Sequence, residues 1–342
     1  MALLEFRPEG IYCPQGDFHI DPWRRVDKAL ITHAHADHAR WGMKHYLTHE
    51  SSIPVMRLRL GQDISVQGVA YGQKIIMNGV EVSFHPAGHI PGSSQIRVAY
   101  QGETWVASGD YKLEDDGLSQ AFEPVKCHTF ITECTFGLPV YKWPKQTEVI
   151  QDINNWWRQN QTEGKVSFIT AYSLGKAQRV IKNIDHSIGK VFTHGAVANT
   201  NEVLLEAGFD LPNTQRVTKD IAKEEFMGSL VIAPPAALNS SWMRKFKPLS
   251  IGIASGWMQL RGARRRRAAD RGFVMSDHAD WPGLLDAIKA TGAENIITTH
   301  GYTDVFSRYL KEIGYHAMEE KTLFTGESID AEAELEAQEE KA

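Results

Sequence analysis

With 342 residues the chain is long enough for about two domains, at roughly 150 residues each, and for a large buried core; a single small module is excluded. Hydrophobic residues at 42% against charged residues at 23% match a soluble globular protein rather than a low-complexity chain, and no uninterrupted apolar run approaches the ~20 residues that span a bilayer. The net charge of −5 is uneven: residues 327–342 carry seven acids and one lysine, a contribution of −6, which leaves +1 for residues 1–326, and local charge, not the total, is what a polyanion would meet.

In chain order, the first 140 residues are expected to be built from strands. Residues 26–32, 80–85, 95–100, 104–108 and 129–133 are short β-branched or alternating runs separated by Gly, Asp or Asn turns, with no long helix among them. From Thr147 the period changes, because Val149, Ile150, Ile153, Trp156 and Trp157 recur at helical spacing. Strands at 166–171, 190–193 and 230–233 then alternate with a helix at 174–184, the pattern of an α/β unit with a parallel sheet. Arg261, Arg264, Arg265, Arg266, Arg267 and Arg271 form the densest basic run of the chain. Beyond it, a strand at 273–275, a helix at 281–291, a strand at 295–299 and a helix at 304–313 resume the layered pattern. The stretch beyond Ser328 reads as a frayed helix or a disordered tail. Cys13, Cys127 and Cys134 fit neither a disulfide framework nor a Cys-x-x-Cys zinc site and read as buried thiols. The opening residues lack the basic and long apolar stretches of an export leader, so a cytoplasmic location is expected.

The most informative segment is residues 29–38, an apolar strand that runs into His33, His35, Asp37 and His38. Imidazole and carboxylate groups at this spacing let one turn offer His33 and His35 to one metal ion, and Asp37 and His38 to a neighbour ~3.5–4 Å away. His89 and Asp110 each sit beside a glycine next to a candidate strand, where the backbone can pass close to a metal. His278 and His300 each end a late strand or turn segment and are, by themselves, as compatible with a core position as with a ligand.

The His-x-His-x-Asp-His run at 33–38 resembles the signature of the metallo-β-lactamase superfamily. Its later motifs, Glu133 in Ile-Thr-Glu-Cys-Thr-Phe-Gly, the segment Ser-Leu-Gly-Lys-Ala-Gln-Arg from Ser173, His278 in Ser-Asp-His-Ala-Asp-Trp and His300 in Thr-Thr-His-Gly, are similar to those of the β-CASP nucleases. More narrowly, Tyr-Cys-Pro-Gln-Gly-Asp-Phe from Tyr12 and the His278 motif look like the bacterial ligase-associated DNA exonucleases, relatives of messenger-RNA 3′-end processing endonucleases. The resemblance implies an α/β fold: a four-layer αββα sandwich, formed by residues 1–140 and 256–326, with an inserted α/β domain at 141–255, the substrate in the cleft between them, and an acidic tail at 327–342. It implies two divalent metal ions, zinc or manganese, with His33, His35, His89 and Asp110 on one side and Asp37, His38, Asp110 and His300 on the other. Asp21 would support the histidine loop from behind. Asp37, His278 and Glu133 would be catalytic: Asp37 orients or deprotonates the attacking water, and His278, held by Glu133, donates to the leaving oxygen.

The activity this implies is hydrolysis of DNA phosphodiesters, as a single-strand exonuclease in repair, with functional association with a DNA ligase and a helicase and no membrane partner. The closer rival is a ribonuclease, because His300 matches the pattern of RNA-processing members. A small-molecule metallo-hydrolase is disfavoured by the inserted domain and the basic run, and a non-catalytic scaffold by the presence of every expected ligand type. The arginines are either a solvated helical face or a phosphate-binding rim, and Trp257 and Trp281, which flank them and His278, are candidates for stacking on bases.

Overall fold

A computed structural model describes residues 2–260, 262 and 269–324. Arg261, Arg264, Arg265, Arg266 and Arg267 of the basic run, and the acidic tail at 327–342, lie outside the described residues. By contacts the chain divides into two units, the first from Met1–Asp115, Ser119–Tyr141 and His278–Glu327, the second containing Asp116–Leu118 and Lys142–Asp277. The described residues 256–260 and 269–277 therefore group with the second unit, whereas the expected boundary at 256 assigns them to the first. The reason is that Leu249–Ala254 and Arg271–Phe273 are paired strands of the second unit's sheet.

The first unit opens with a six-stranded sheet in the order β1 (Glu5–Arg7), β2 (Gly10–Cys13), β3 (Phe18–Ile20), β4 (Lys28–Leu30), β5 (His45–His49) and β6 (Val66–Val69). Its first three strands are antiparallel neighbours and the rest run parallel. A seven-stranded sheet follows, made of β7 (Ile75–Met77), β8 (Val80–Pro86), β9 (Ser94–Tyr100), β10 (Glu103–Ala107) and β11 (Thr129–Cys134), joined by the late strands β18 (Asn295–Gly301) and β19 (His316–Glu319). From β7 to β10 the pairing is antiparallel, and from β10 through β11 and β18 to β19 it is parallel.

Period-2 alternation decides what each face of this second sheet meets. Val82, Phe84, Ile96, Val98, Trp105 and Ala107 point inward and share one core with Ile11, Phe18, Ile20 and Leu30 of the first sheet. Val106, Phe130 and Ile296 point the other way, onto Leu284 and Ile288 of α5 (Trp281–Thr291) and Phe306 and Leu310 of α6 (Thr303–Glu312). At roughly 1.5–3 kcal/mol for each such side chain fully buried, the two cores hold the strand ends in place. A short helix, α1 (Ile53–Leu60), lies against β6, completing an αββα sandwich.

The second unit is a parallel sheet in the order β14 (Gln215–Arg216), β13 (Val191–Thr193), β15 (Leu230–Ala233), β12 (Val166–Thr170), β16 (Leu249–Ala254) and β17 (Arg271–Phe273). Helices α2 (Gln146–Thr162), α3 (Lys176–Asn183) and α4 (Gly195–Glu206) connect it, and both sheet faces are apolar, as parallel sheets require. The helical spacing expected from Thr147 is what places Ile153, Trp156 and Trp157 on the sheet; Trp156 donates to Ser250 Oγ at 3.1 Å and Trp157 to the Gly228 carbonyl at 2.9 Å. Cys13 and Cys134 are buried free thiols, and Cys127 is half-buried. Among the described residues no helix is long and apolar enough to cross a membrane.

Candidate metal centre

Strand ends and adjoining loops of the first unit bring nine acid or imidazole side chains to one place. The loop after β4 carries His33, His35, Asp37 and His38, His89 follows β8, and Asp110 follows β10. Glu133 lies near the end of β11 and His300 near the end of β18, while His278 precedes α5. Because β10, β11 and β18 run parallel, their carboxyl ends share one sheet edge. His33, His35, His89 and Asp110 offer ligand atoms within 4.8 Å of one another, as do Asp37, His38 and His300, and again Asp110, Glu133 and His278. His33, Asp37, His38, His89, Asp110, Glu133, His278 and His300 are all buried.

His300 owes its position to strained backbone. Its φ is 58°, and β18 shifts register against Glu133/Cys134 at this point. Next to it, Gly301 has φ 103°, and a Cβ there would lie 2.2 Å from the Cys134 carbonyl oxygen, so only glycine lets the strand turn the imidazole inward.

Hydrogen bonds fix which nitrogen of each ring faces the cluster. The Asp21 carboxylate accepts from the Thr32 amide at 2.8 Å, from the Thr32 hydroxyl, and from His38 Nδ1 at 2.8 Å. A hydroxyl has one proton to give. Having given it to Asp21, Thr32 Oγ1 can only accept from His33 Nδ1, 3.0 Å away, which leaves His33 Nε2 with its lone pair toward the cluster. His38 likewise donates its Nδ1 proton to Asp21, which turns its Nε2 toward the cluster. On the other side, Glu133 accepts from His278 Nδ1 at 2.8 and 3.0 Å, from the Tyr111 amide at 2.9 Å and from the Thr135 hydroxyl.

Asp110 Oδ2 lies 3.5 Å from His33 Nε2, 3.5 Å from His38 Nε2 and 3.8 Å from His89 Nε2, while its Oδ1 is 3.7 Å from His300 Nδ1. One carboxylate thus faces both histidine groups. Among the described residues, His33 Nε2, His38 Nε2, Asp110 Oδ1 and both His300 nitrogens are buried without a hydrogen-bond partner. Left so, each costs about 1–3 kcal/mol. Imidazole lone pairs and carboxylate oxygens turned on one another are a donor set for a divalent cation, so the residues fit zinc or manganese.

Electrostatics agree. Burial pulls the His38 imidazole down, but Asp110, Asp37 and Asp21 together outweigh it and raise it to about 10. Burial pushes the Asp110 carboxyl up to about 7, against the pull of His38 and His278. Burial works against ionisation of Asp37 too, yet His38, His300 and His35 hold it below the usual carboxylate range. His300 is lowered to about 4, chiefly by burial, and His33 well below its ordinary value by burial and then by His38 and His89. The Glu133 carboxyl is lowered: burial opposes this, and His278 and Thr135 overcome it. The carboxylates favour positive charge at this point, whether a proton or a cation supplies it.

Of the residues singled out by sequence, His33, His35, Asp37, His38, His89, Asp110, Glu133, His278 and His300 come together, with Asp21 directly behind them. Trp281 does not serve as expected: its ring is buried against Phe306 and Tyr309 in the helical layer, where no base can reach its face. Trp257 is half-buried in a short turn, Gly256–Gln259, of the second unit. Two participants carried no advance signal. Thr32 settles a tautomer through one proton, and Phe324 stacks on His38 at 4.2 Å and 7° while Arg40 donates to the neighbouring Leu323 carbonyl at 3.0 Å.

Two face-to-face sheets between helices, with a histidine and aspartate cluster at the strand ends, define the metallo-β-lactamase fold. No family model matches the chain. It is 29% identical over 311 residues to a probable DNA ligase of Opitutus terrae, covering 90% of this chain and 30% of that protein. It is 22% identical over 381 residues to the probable RNase MJ4 of Methanocaldococcus jannaschii, covering 87% of each. A crystal structure of a protein of unknown function from Enterococcus faecalis V583 shares the fold, with a TM-score of 0.59 at 13% identity over 86% of this chain and 79% of that one. The chain spans between 23% and 30% of the length of the first curated relatives it matches. The curated relatives and the fold together point to the metallo-β-lactamase superfamily and its β-CASP nuclease branch as what this chain resembles.

Proposed function

We propose that this chain is a metal-dependent hydrolase of nucleic-acid phosphodiesters, a cytoplasmic single-strand exonuclease acting on DNA in preference to RNA. The observation that carries the reading is the buried cluster, in which Asp110 faces two histidine groups whose lone pairs converge. His33, His35, His89 and Asp110 would hold one divalent cation, and Asp37, His38 and His300, with Asp110 shared, a second. Such ions, when bound, lower the pKa of water from 15.7 toward ~7 and neutralise charge on phosphate oxygens.

The chain's own groups do the rest. Asp37, kept ionised by its histidine neighbours, orients the attacking water or takes its proton. Glu133 holds His278 by Nδ1, and its negative charge favours the imidazolium. His278 then donates from Nε2, the nitrogen Glu133 does not hold, to the leaving oxygen. Glu133 is itself fixed by the Tyr111 amide and the Thr135 hydroxyl, so the donor cannot swing.

A DNA substrate is supported by the match of 90% of this chain to a probable DNA ligase, which also supports functional association with a ligase; association with a helicase rests on the family resemblance alone. A second reading, a ribonuclease, is favoured by the similarity to the probable RNase MJ4 over 87% of both chains. Digestion of end-labelled single-stranded DNA and RNA of one sequence, with zinc or manganese restored, separates them. Mononucleotides released from one end of the DNA, faster than from the RNA, are expected. Faster RNA cleavage establishes the second reading, and no cleavage of either with both metals refutes the nuclease.

A further inference from the structure

Trp41 is 64% exposed, whereas Trp23, Trp105, Trp156, Trp157 and Trp281 are buried. A ring of this size left in water forgoes a large burial gain, and its position is unusual. It stands three residues beyond His38, within about 11 Å of extended chain from the histidine cluster. The loop that carries it is held from both sides by one buried side chain: the Tyr46 hydroxyl donates to the Arg40 carbonyl at 2.8 Å and accepts from the Met43 amide at 3.0 Å. Backbone bonds from Lys44 to Val26 at 3.1 Å and from His45 to Asp27 at 2.9 Å tie this loop to the one bearing Arg25.

Arg25 lies over the indole, its Cζ 4.9 Å from the ring centroid. Gly42, with φ 99°, makes room for it, since a Cβ there would come 2.8 Å from Arg25 Nε. Arg24, Arg25 and Lys44 are exposed, and among the described residues none of them is ion-paired with an acid. An aromatic face that is rigid, wet and backed by a guanidinium among unpaired cations is matched by a flat, electron-rich base on a phosphate backbone.

We propose that Trp41 and Arg25 form a platform that stacks an unpaired nucleobase, a single-strand binding site on the first unit beside the histidine cluster. This rests on the nuclease reading above and gives it a preference for unpaired strands.

The test is fluorescence anisotropy of the full, metal-loaded chain with labelled phosphorothioate oligonucleotides: a single strand, its duplex, and the same strand with abasic sites. W41A is expected to weaken single-strand binding by roughly five- to hundred-fold, to leave duplex and abasic binding within about twofold, and to be largely rescued by W41F. R25A is expected to flatten the dependence of log affinity on log salt by about one unit. Single-strand binding that W41A leaves unchanged, or an equal loss on the abasic strand, overturns the platform while the nuclease reading stands. If the unaltered chain binds no nucleic acid, both fall together.

Discussion

Asp21→Asn changes one heavy atom and is expected to disable two of the proposed metal ligands, His33 and His38, without unfolding the protein. The carboxylate accepts three hydrogen bonds, two from Thr32 and one from His38 Nδ1. Asparagine keeps the shape and can still accept from the Thr32 amide through its oxygen, but its nitrogen donates where the second carboxylate oxygen accepted. His38 must then accept at Nδ1, which moves its proton to Nε2, the atom that faces Asp110 at 3.5 Å. Thr32, deprived of its acceptor, can turn its proton to His33 Nδ1 and move that ring's proton to Nε2 as well. Losing a partner of this kind typically costs roughly 10–100-fold in metal affinity. Competitive chelator titration at pH 7.5 measures the affinity, and thermal unfolding of the metal-free proteins checks the fold. A D21N protein that binds zinc or manganese within about twofold of the unaltered chain would refute the tautomer reasoning.

His278→Ala should abolish turnover while retaining bound metal by elemental analysis; metal loss together with activity would contradict its role as proton donor. Gly301→Ala should destabilise the first unit by at least about 2 kcal/mol, from the left-handed φ and the contact with the Cys134 carbonyl, and denaturant midpoints equal to those of the unaltered chain would count against it. His49 is buried against Tyr71, with ring centroids 3.5 Å apart, and burial lowers it to about 4. Its folded value lies below its ordinary 6.5, so the unfolded chain takes the proton first. Its contribution is complete above pH 6.5 and is lost as pH falls toward 4, a change of up to about 3 kcal/mol at ~1.4 kcal/mol per pKa unit. H49N, which retains an acceptor for the Ser51 amide, should flatten the stability profile in that window, and identical slopes for the two proteins would exclude His49 as the cause.

Local patterns were legible where local physics decides them. The helical recurrence from Val149 to Trp157 is real because the same residues that repeat are those that bury against the sheet. The short strands β1, β3, β5 and β7 gave no alternation long enough to read, and α1 shows no amphipathic pattern, because apolar residues surround its axis although only Val55, Met56 and Leu60 are buried. Trp281 shows why an aromatic beside a motif is ambiguous: the start of α5 turns it into the helical layer, a choice made by packing that the sequence does not record. Trp41 errs the other way, standing in plain view within the histidine motif's own loop yet marked by nothing except the exposure that only the folded chain reveals.

The two carboxylates nearest His278 are chemically alike, are buried together, and move in opposite directions. Asp110 is raised to about 7, while Glu133 is lowered. Desolvation cannot distinguish them, since it raises both. The difference lies in the donors. Glu133 engages a backbone amide, a threonine hydroxyl and His278 Nδ1, so its negative charge is committed to protein hydrogen atoms and serves to orient one imidazole. Among the described residues Asp110 Oδ1 has no such donor, although it is equally buried. A carboxylate oxygen left without hydrogen atoms in a dry site favours a cation beside it, and neighbouring groups whose acidities are driven apart in this way divide the work between them. On that ground Asp110, not Glu133, would be the carboxylate for the metal ions proposed above, and Glu133→Gln should shift the pH profile of turnover while leaving metal affinity nearly intact.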